Sequence, residues 1–298
     1  MKKLYGVITA MTTPFTEEDQ VDLSALEQQT DFLIGKGVQC LYPNGTTGEM
    51  FLMSGEEREK IAETVVRRAA GRVTVYVHTG AMNLKDTIRL SQHAHAIGAD
   101  GIGVVTPAYF GADDRTILQY YVDICAALPS DFPVYVYVIP QLAKNDISFQ
   151  LMNRIAEACP QIVGVKYSYP DVRRACQYLT VRDGSFSVVV GADDLFFPAL
   201  AAGCDGVVSG CSGPMPEAFV EVYRCFTEKR YDDARKIQLT ATKHVEFLEY
   251  GRDMAVFKSI LTLRGIPGGH MRKPLLDLTP EQLESAKKQF EELLLLTN

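Results

Sequence analysis

Hydrophobic and polar positions along this chain follow two periods in turn. Short runs rich in β-branched residues occur at GVITAM (6–11), QCLYP (39–43), VTVYVHT (73–79), GIGVVT (101–106), PVYVYVI (133–139), IVGVKYS (162–168), FSVVVG (186–191) and GVVSG (206–210). Most are apolar throughout, as parallel strands covered on both faces are. The stretches between them carry apolar residues at spacings of three and four among strong helix formers, as in LSALEQQTDFLIGKG, SGEEREKIAETVVRRAAG, NLKDTIRLSQHAHAIGA and DRTILQYYVDICAAL. Ser54 followed by Glu57 resembles a capping box, and Gly37, Gly71 and Gly203 suit helix C-termini.

Eight strand–helix units predict an α/β fold, a (β/α)₈ TIM barrel. The alternative is a doubly wound open sheet. It requires a glycine-rich dinucleotide turn after the first strand, and TAMTTPF is not one. Residues 1–228 are assigned to the barrel and 229–298 to a helical C-terminal extension packed on it. In the extension, RYDDARKIQLTATKHVEFLEYG, DMAVFKSILTLRG and TPEQLESAKKQFEELLLLTN read as helices, the last two separated by Pro267, Gly268, Gly269 and Pro274.

Composition changes this picture little. Of 298 residues, 47% are hydrophobic and 22% charged, ordinary for a soluble globular protein. A net charge of −7 with no basic run argues against nucleic acid as a partner. No apolar stretch is long enough to span a bilayer, and the N-terminus runs into a strand without a leader pattern. The seven cysteines are scattered with no CxxC pair, as expected of reduced thiols in a cytoplasmic protein.

In such a barrel the chemistry stands at the C-terminal ends of the strands. Strand two ends in Gly45, Thr46, Thr47, Gly48 and Glu49, whose hydroxyls and exposed N–H groups make a nest for a small anion. Strand four leads to Tyr109; strand five carries Tyr135 and Tyr137 on one face. Strand six carries Lys166 in an otherwise apolar run, where a desolvated ammonium readily loses its proton. Strand seven ends in Gly191, Asp193 and Asp194; strand eight ends in Ser209 and Gly210. Each has an ordinary reading on its own: a turn, a core tyrosine, a rim lysine that snorkels, a helix cap at Asp194. As a set they suit one reaction. A lysine attacks a ketone, a tyrosine shuttles protons, a nest holds the carboxylate of a 2-keto acid, and the protonated imine draws electrons from the neighbouring carbon.

The same residues resemble the dihydrodipicolinate synthase/N-acetylneuraminate lyase family of pyruvate-dependent class I aldolases, over nearly the whole chain. The resemblance is carried by GVITAMTTPF, GTTGE (45–49), VVTPAYF (104–110), YVIP (137–140), GVK (164–166), GADD (191–194) and GVVSG (206–210). It implies a barrel with a C-terminal helical part, usually a homotetramer, needing no cofactor beyond the covalent lysine imine with pyruvate. It implies Lys166 as the Schiff-base lysine and Tyr137 as the proton relay. Thr46 and Thr47 would bind the pyruvate carboxylate. Thr47 would also link Tyr137 to Tyr109, which in the synthase branch works in the adjacent subunit's site. Two departures set this chain apart from the synthase branch. Val138 replaces the usual asparagine of the Tyr-x-x-Pro run, and Leu142 stands where an arginine would hold the second carboxylate. Lys144 nearby does not reproduce a bidentate arginine. Leu142 and the acid Asp193 are similar to the sialic acid lyase branch, with Gly191 and Ser209 beside it; YSYPD after Lys166 is neither branch's usual run.

The expected activity is therefore carbon–carbon cleavage or condensation of a 2-keto acid, a 2-keto-3-deoxy sugar acid or sialic-acid-like compound giving pyruvate and an aldehyde. The alternatives are a dihydrodipicolinate synthase, a keto-deoxy sugar acid dehydratase, and a barrel that binds a keto acid without turning it over. A metal-dependent aldolase is disfavoured: of five histidines, His93 and His95 lie two apart on a helix and face apart.

Overall fold

The structure, a computed structural model, describes residues 2–295. All eight strands form: β1 (Gly6–Ala10), β2 (Cys40–Tyr42), β3 (Thr74–His78), β4 (Gly101–Val105), β5 (Val134–Val138), β6 (Ile162–Tyr167), β7 (Ser187–Val190) and β8 (Gly206–Ser209). Each pairs in parallel with the next, and β8 returns to β1, so the sheet closes into a barrel rather than opening into a doubly wound sheet. The connections carry α1 (Leu23–Gly35), α2 (Gly55–Ala69), α3 (Leu84–Ala96), α4 (Asp114–Ala126), the short α5 (Pro140–Ala143), α6 (Phe149–Ala158), α7 (Val172–Tyr178) and α8 (Phe196–Ala202). After β8 follow α9 (Glu217–Thr227), α10 (Tyr231–Phe247), α11 (Met254–Leu263) and α12 (Pro280–Leu295). The last three residues of the final predicted helix lie outside the described residues, as does Met1.

Local chemistry explains several helix ends. Ser54 Oγ accepts from Glu57 N at 3.2 Å while Glu57 Oε2 accepts from Ser54 N at 2.8 Å, the reciprocal box expected at the start of α2. Asp22, Asn83, Asp113, Ser148 and Asp171 cap α1, α3, α4, α6 and α7, each contributing about 1 kcal/mol. Asp194 does not cap α8: it sits inside a 3-10 turn, Asp193–Leu195, and makes no capping bond.

Alternation along each strand sorts the core into two clusters. Val7, Leu41, Ile102, Val136, Val165 and Val188 pack outward with the helices. The opposite parity, including Ile8, Cys40, Tyr42, Tyr76, Tyr135 and Val189, fills the barrel. Large tyrosines fit because glycines face them. A Cβ on Gly103 would come 1.8 Å from the Tyr42 hydroxyl, and one on Gly164 2.5 Å from the Tyr135 ring. Toward the N-terminal end the polar atoms are satisfied. Tyr135 Oη accepts from Leu4 N at 3.0 Å and donates to Ser187 Oγ at 2.7 Å; Tyr76 Oη donates to Lys2 O at 2.6 Å.

One irregularity orients the site. Val134 pairs with Ile162, but Tyr135 pairs with Gly164, so Val163 is skipped. A one-residue shift exchanges the faces of a strand relative to its neighbour. The shift sets Lys166 opposite Tyr137. An unbroken register would set Lys166 opposite Val138, which packs outward.

Candidate active site

Lys166 is 4% exposed, near the C-terminal end of β6. Its Nζ lies 3.9 Å from the Tyr137 ring centroid and 4.7 Å from that of Tyr42. Ring faces stabilise an ammonium by about 0.5–2 kcal/mol. Among the described residues no carboxylate comes within ion-pair distance of it. The amine is thus buried, lightly held and at the barrel mouth.

Tyr137 is buried on β5, and its hydroxyl meets Thr46 Oγ1 at 3.2 Å. The threonine on Tyr137 is therefore Thr46, not Thr47 as expected. The reason is the turn: Thr46–Gly48 form a single 3-10 turn, which sends neighbouring side chains in different directions. Thr47 instead lies over β8, where a Cβ on Gly210 would stand 3.1 Å from its hydroxyl. As opening residues of a 3-10 turn, Thr46 and Thr47 present N–H groups without intrahelical acceptors, the donors an anion nest needs.

His78, at the end of β3, was not singled out by sequence. It is fully buried with its ring edge-on to Tyr137 at 5.7 Å. Its Nδ1 lies 3.0 Å from Asn44 O, an acceptor, and 3.4 Å from Arg58 Nη2, a donor. Burial, then the charges of Arg58 and Lys166, hold its pKa well below the usual value, and the ring is neutral. Arg58 fixes the strand end by donating to His78 O and Gly80 O, both at 2.9 Å, while Asn44 Nδ2 donates to Arg58 O at 2.8 Å. The signal in the sequence was a histidine at a strand's C-terminal end, the position from which barrel chemistry comes.

On the opposite side, Asp193 is buried with Oδ1 lacking a hydrogen-bond partner among the described residues. Burial pushes its pKa up to about 7; Asp194 adds to this, and Ser209, Lys166 and Cys211 oppose it. Ser209 is wholly buried, its Oγ accepting from Ser212 N at 2.8 Å. Gly191 is required by close approach: a Cβ there would lie 1.9 Å from Ser168 Oγ.

Other expected residues are not brought into this group. Tyr109 is 72% exposed in the left-handed region (φ 73), its ring edge-on to Phe110 at 5.0 Å. Within one chain it does not meet Tyr137 or either threonine. Leu142 is exposed and Val138 packs into the outer apolar layer, away from the mouth. Lys144 is exposed at the end of α5. His93 pairs with Glu63 at 3.0 Å while His95 packs on Phe132, so the two diverge as their spacing predicted. No helix among the described residues is long and apolar enough to cross a membrane.

Barrel closure, the GTTGE turn and the mouth lysine coincide with one known family. The model of the dihydrodipicolinate synthetase family matches residues 3–293. The chain belongs to that family. An N-acetylneuraminate lyase of Mediterraneibacter gnavus is 31% identical, covering 97% of this chain and 92% of its own. A 4-hydroxy-tetrahydrodipicolinate synthase of Aquifex aeolicus is 32% identical, covering 93% of both. Among solved structures, YagE, a prophage protein of the dihydrodipicolinic acid synthase family from E. coli K12 in complex with pyruvate, superposes with a TM-score of 0.92. It is 28% identical and covers 98% of this chain and 99% of that one. A catalytic lysine mutant of the Ruminococcus gnavus sialic acid aldolase gives a TM-score of 0.92 at 29% identity, covering 98% and 97%. The chain is thus a member of a dihydrodipicolinate synthase/N-acetylneuraminate lyase family of lyases. Similar identity to two activities leaves its substrate to be argued from the site.

Proposed function

We propose that the chain is a Schiff-base lyase that cleaves a 2-keto-3-deoxy sugar acid or sialic-acid-like substrate to pyruvate and an aldehyde. The observation that carries the reading is the buried, carboxylate-free amine of Lys166 against Tyr137, whose hydroxyl is held by Thr46. The pyruvate complex of one structural neighbour and the catalytic lysine of another support it.

In the proposed sequence Lys166 Nζ attacks the keto carbon, and Tyr137 passes the proton that lets water leave as the imine forms. Thr46 and Thr47 hold the substrate carboxylate. The C4 hydroxyl then loses its proton to Tyr137 or the substrate carboxylate, the C3–C4 bond breaks, and its electron pair enters the imine to give an enamine. The aldehyde departs, C3 is reprotonated, and water hydrolyses the imine to release pyruvate and the free amine. Aldolase, synthase and dehydratase variants share the imine and differ afterwards.

Two features favour the sugar acid over the synthase substrate. Leu142 offers an exposed apolar side chain where a bidentate guanidinium would be needed for a second carboxylate. Asp193, with an unpartnered buried oxygen near Ser209, suits the hydroxyls of a polyol chain. Tyr109 and Phe110, exposed together, suit coverage by a second copy, as in a homotetramer. Six of the seven cysteines are buried and all are unpaired, in keeping with a reducing, cytoplasmic setting.

The test is pyruvate release from a panel of 2-keto-3-deoxy acids, run beside condensation of pyruvate with aspartate semialdehyde. Cleavage of at least one sugar acid is expected. Condensation alone identifies a synthase instead. Thermal stabilisation by keto acids with no product identifies a binding barrel.

A further inference from the structure

Glu49 ends the Thr46–Gly48 turn in the left-handed region, at φ 62 and ψ 37. A glutamate in that conformation is strained and persists only where its surroundings over-determine it. Here they do. Its side chain is buried, and Oε1 lies 2.5 Å from Lys258 Nζ on α11. Its Oε2 accepts from Arg272 N at 3.0 Å. Lys258 also donates to His270 O at 2.6 Å and lies over the Phe15 ring at 4.6 Å. Arg272 in turn holds Glu57 Oε1 and Oε2 at 2.8 and 2.7 Å, at the start of α2. Thr13 Oγ1 donates to Gly48 O at 2.9 Å, fixing the turn from β1's side.

The anion-binding turn is thus bolted to the C-terminal helices by a pair that touches none of the reacting groups. We infer that Glu49 and Lys258 are positioning residues for the 2-keto acid, holding the turn whose N–H groups and Thr46 hydroxyl receive its carboxylate. The inference rests on the lyase reading above and adds to it a role for the C-terminal helices in substrate affinity. Lys166 and Tyr137 stand on β6 and β5, outside the turn. Loosening the pair should therefore weaken capture of the keto acid more than it slows the covalent step.

The experiment measures reductive trapping by borohydride as a function of pyruvate concentration, in the wild type, Lys258→Met and Glu49→Gln/Lys258→Met. The wild-type curve tests the parent reading by itself: no adduct there sinks that reading and leaves nothing for these residues to position. With an adduct in hand, both variants should need roughly tenfold more pyruvate for half-saturation, a factor of the size one lost interaction gives. Their maximal trapping rate should change less. The double variant leaves no lone charge in the interior, so it should melt cooperatively even where the single one does not. A folded variant that half-saturates at the wild-type concentration overturns the inference. So does a double variant that fails to fold, because the pair would then be needed for folding rather than for positioning.

Discussion

Lys166 and Lys258 are both buried, at 4% and 2% exposure, and they are solved in opposite ways. Lys258 has a carboxylate at 2.5 Å and a carbonyl at 2.6 Å, so its charge is answered within the protein. Lys166 has two aromatic faces and, among the described residues, no carboxylate within ion-pair distance. Burial depresses the pKa of Lys258, and Glu49 works against that. Burial alone therefore does not mark a nucleophile; what marks it is burial without a counter-ion, beside a phenol and an anion nest. The contrast extends to the neighbours. Toward the N-terminal end of the barrel, Tyr135 and Tyr76 have hydrogen-bond partners, whereas near the mouth Tyr42 Oη, His78 Nε2 and Asp193 Oδ1 have none among the described residues. Unpartnered polar groups in an interior are costly and accumulate where a ligand completes them.

The comparison breaks most visibly at Lys166 itself. Lys166→Met should abolish turnover and trapping while leaving the fold intact, with stability raised by about 1 kcal/mol because an uncompensated amine leaves the core. Paired activity and denaturant titrations check this; a marked loss of stability would mean that Lys166 is structural. Next comes Tyr137→Phe. Loss of the relay should lower kcat by about 10²–10⁴-fold, with little effect on melting, since the hydroxyl meets only Thr46 among the described residues. Lys258→Met should do the reverse in stability. Leaving Glu49 buried without its counter-ion should destabilise by about 3–5 kcal/mol, measured by urea titration at constant pH.

The most gradual effect is a pH slope from Asp193. Its folded pKa, about 7, lies above the ordinary 3.8, so between those values the native state holds a proton that the unfolded chain has lost. This contribution to stability is full below about pH 4 and declines as pH rises toward 7. The slope is at most about 1.4 kcal/mol per pH unit. Asp193→Asn should flatten that part of the stability–pH curve; an unchanged curve would show that the carboxyl is ionised in the free protein.

Much of this was legible in the sequence. The alternation of apolar runs with helical periods gave the barrel, because parallel strands covered on both faces leave that imprint. Strand ends point to Lys166, Tyr137 and the threonine turn, though not to His78. What stayed hidden was geometry set by distant partners. Lys166 faces Tyr137 through the skipped Val163, and a register shift leaves no mark in an apolar run. Adjacent threonines cannot be told apart by spacing, and the contact with Tyr137 belongs to Thr46 rather than Thr47. Lys258 reads as an ordinary position in a helix; only the apolar residues Val256, Phe257, Ile260 and Leu261 around it hint at burial. Tyr109 shows where one chain stops: its side chain turns outward, and a second copy would have to bring it to a site.

The sharpest test sets the two buried amines against each other. Incubation with pyruvate, reduction with borohydride and peptide mapping should place one three-carbon adduct on Lys166 and none on Lys258. An adduct on Lys258 or elsewhere, or no adduct at saturating pyruvate, would contradict the account.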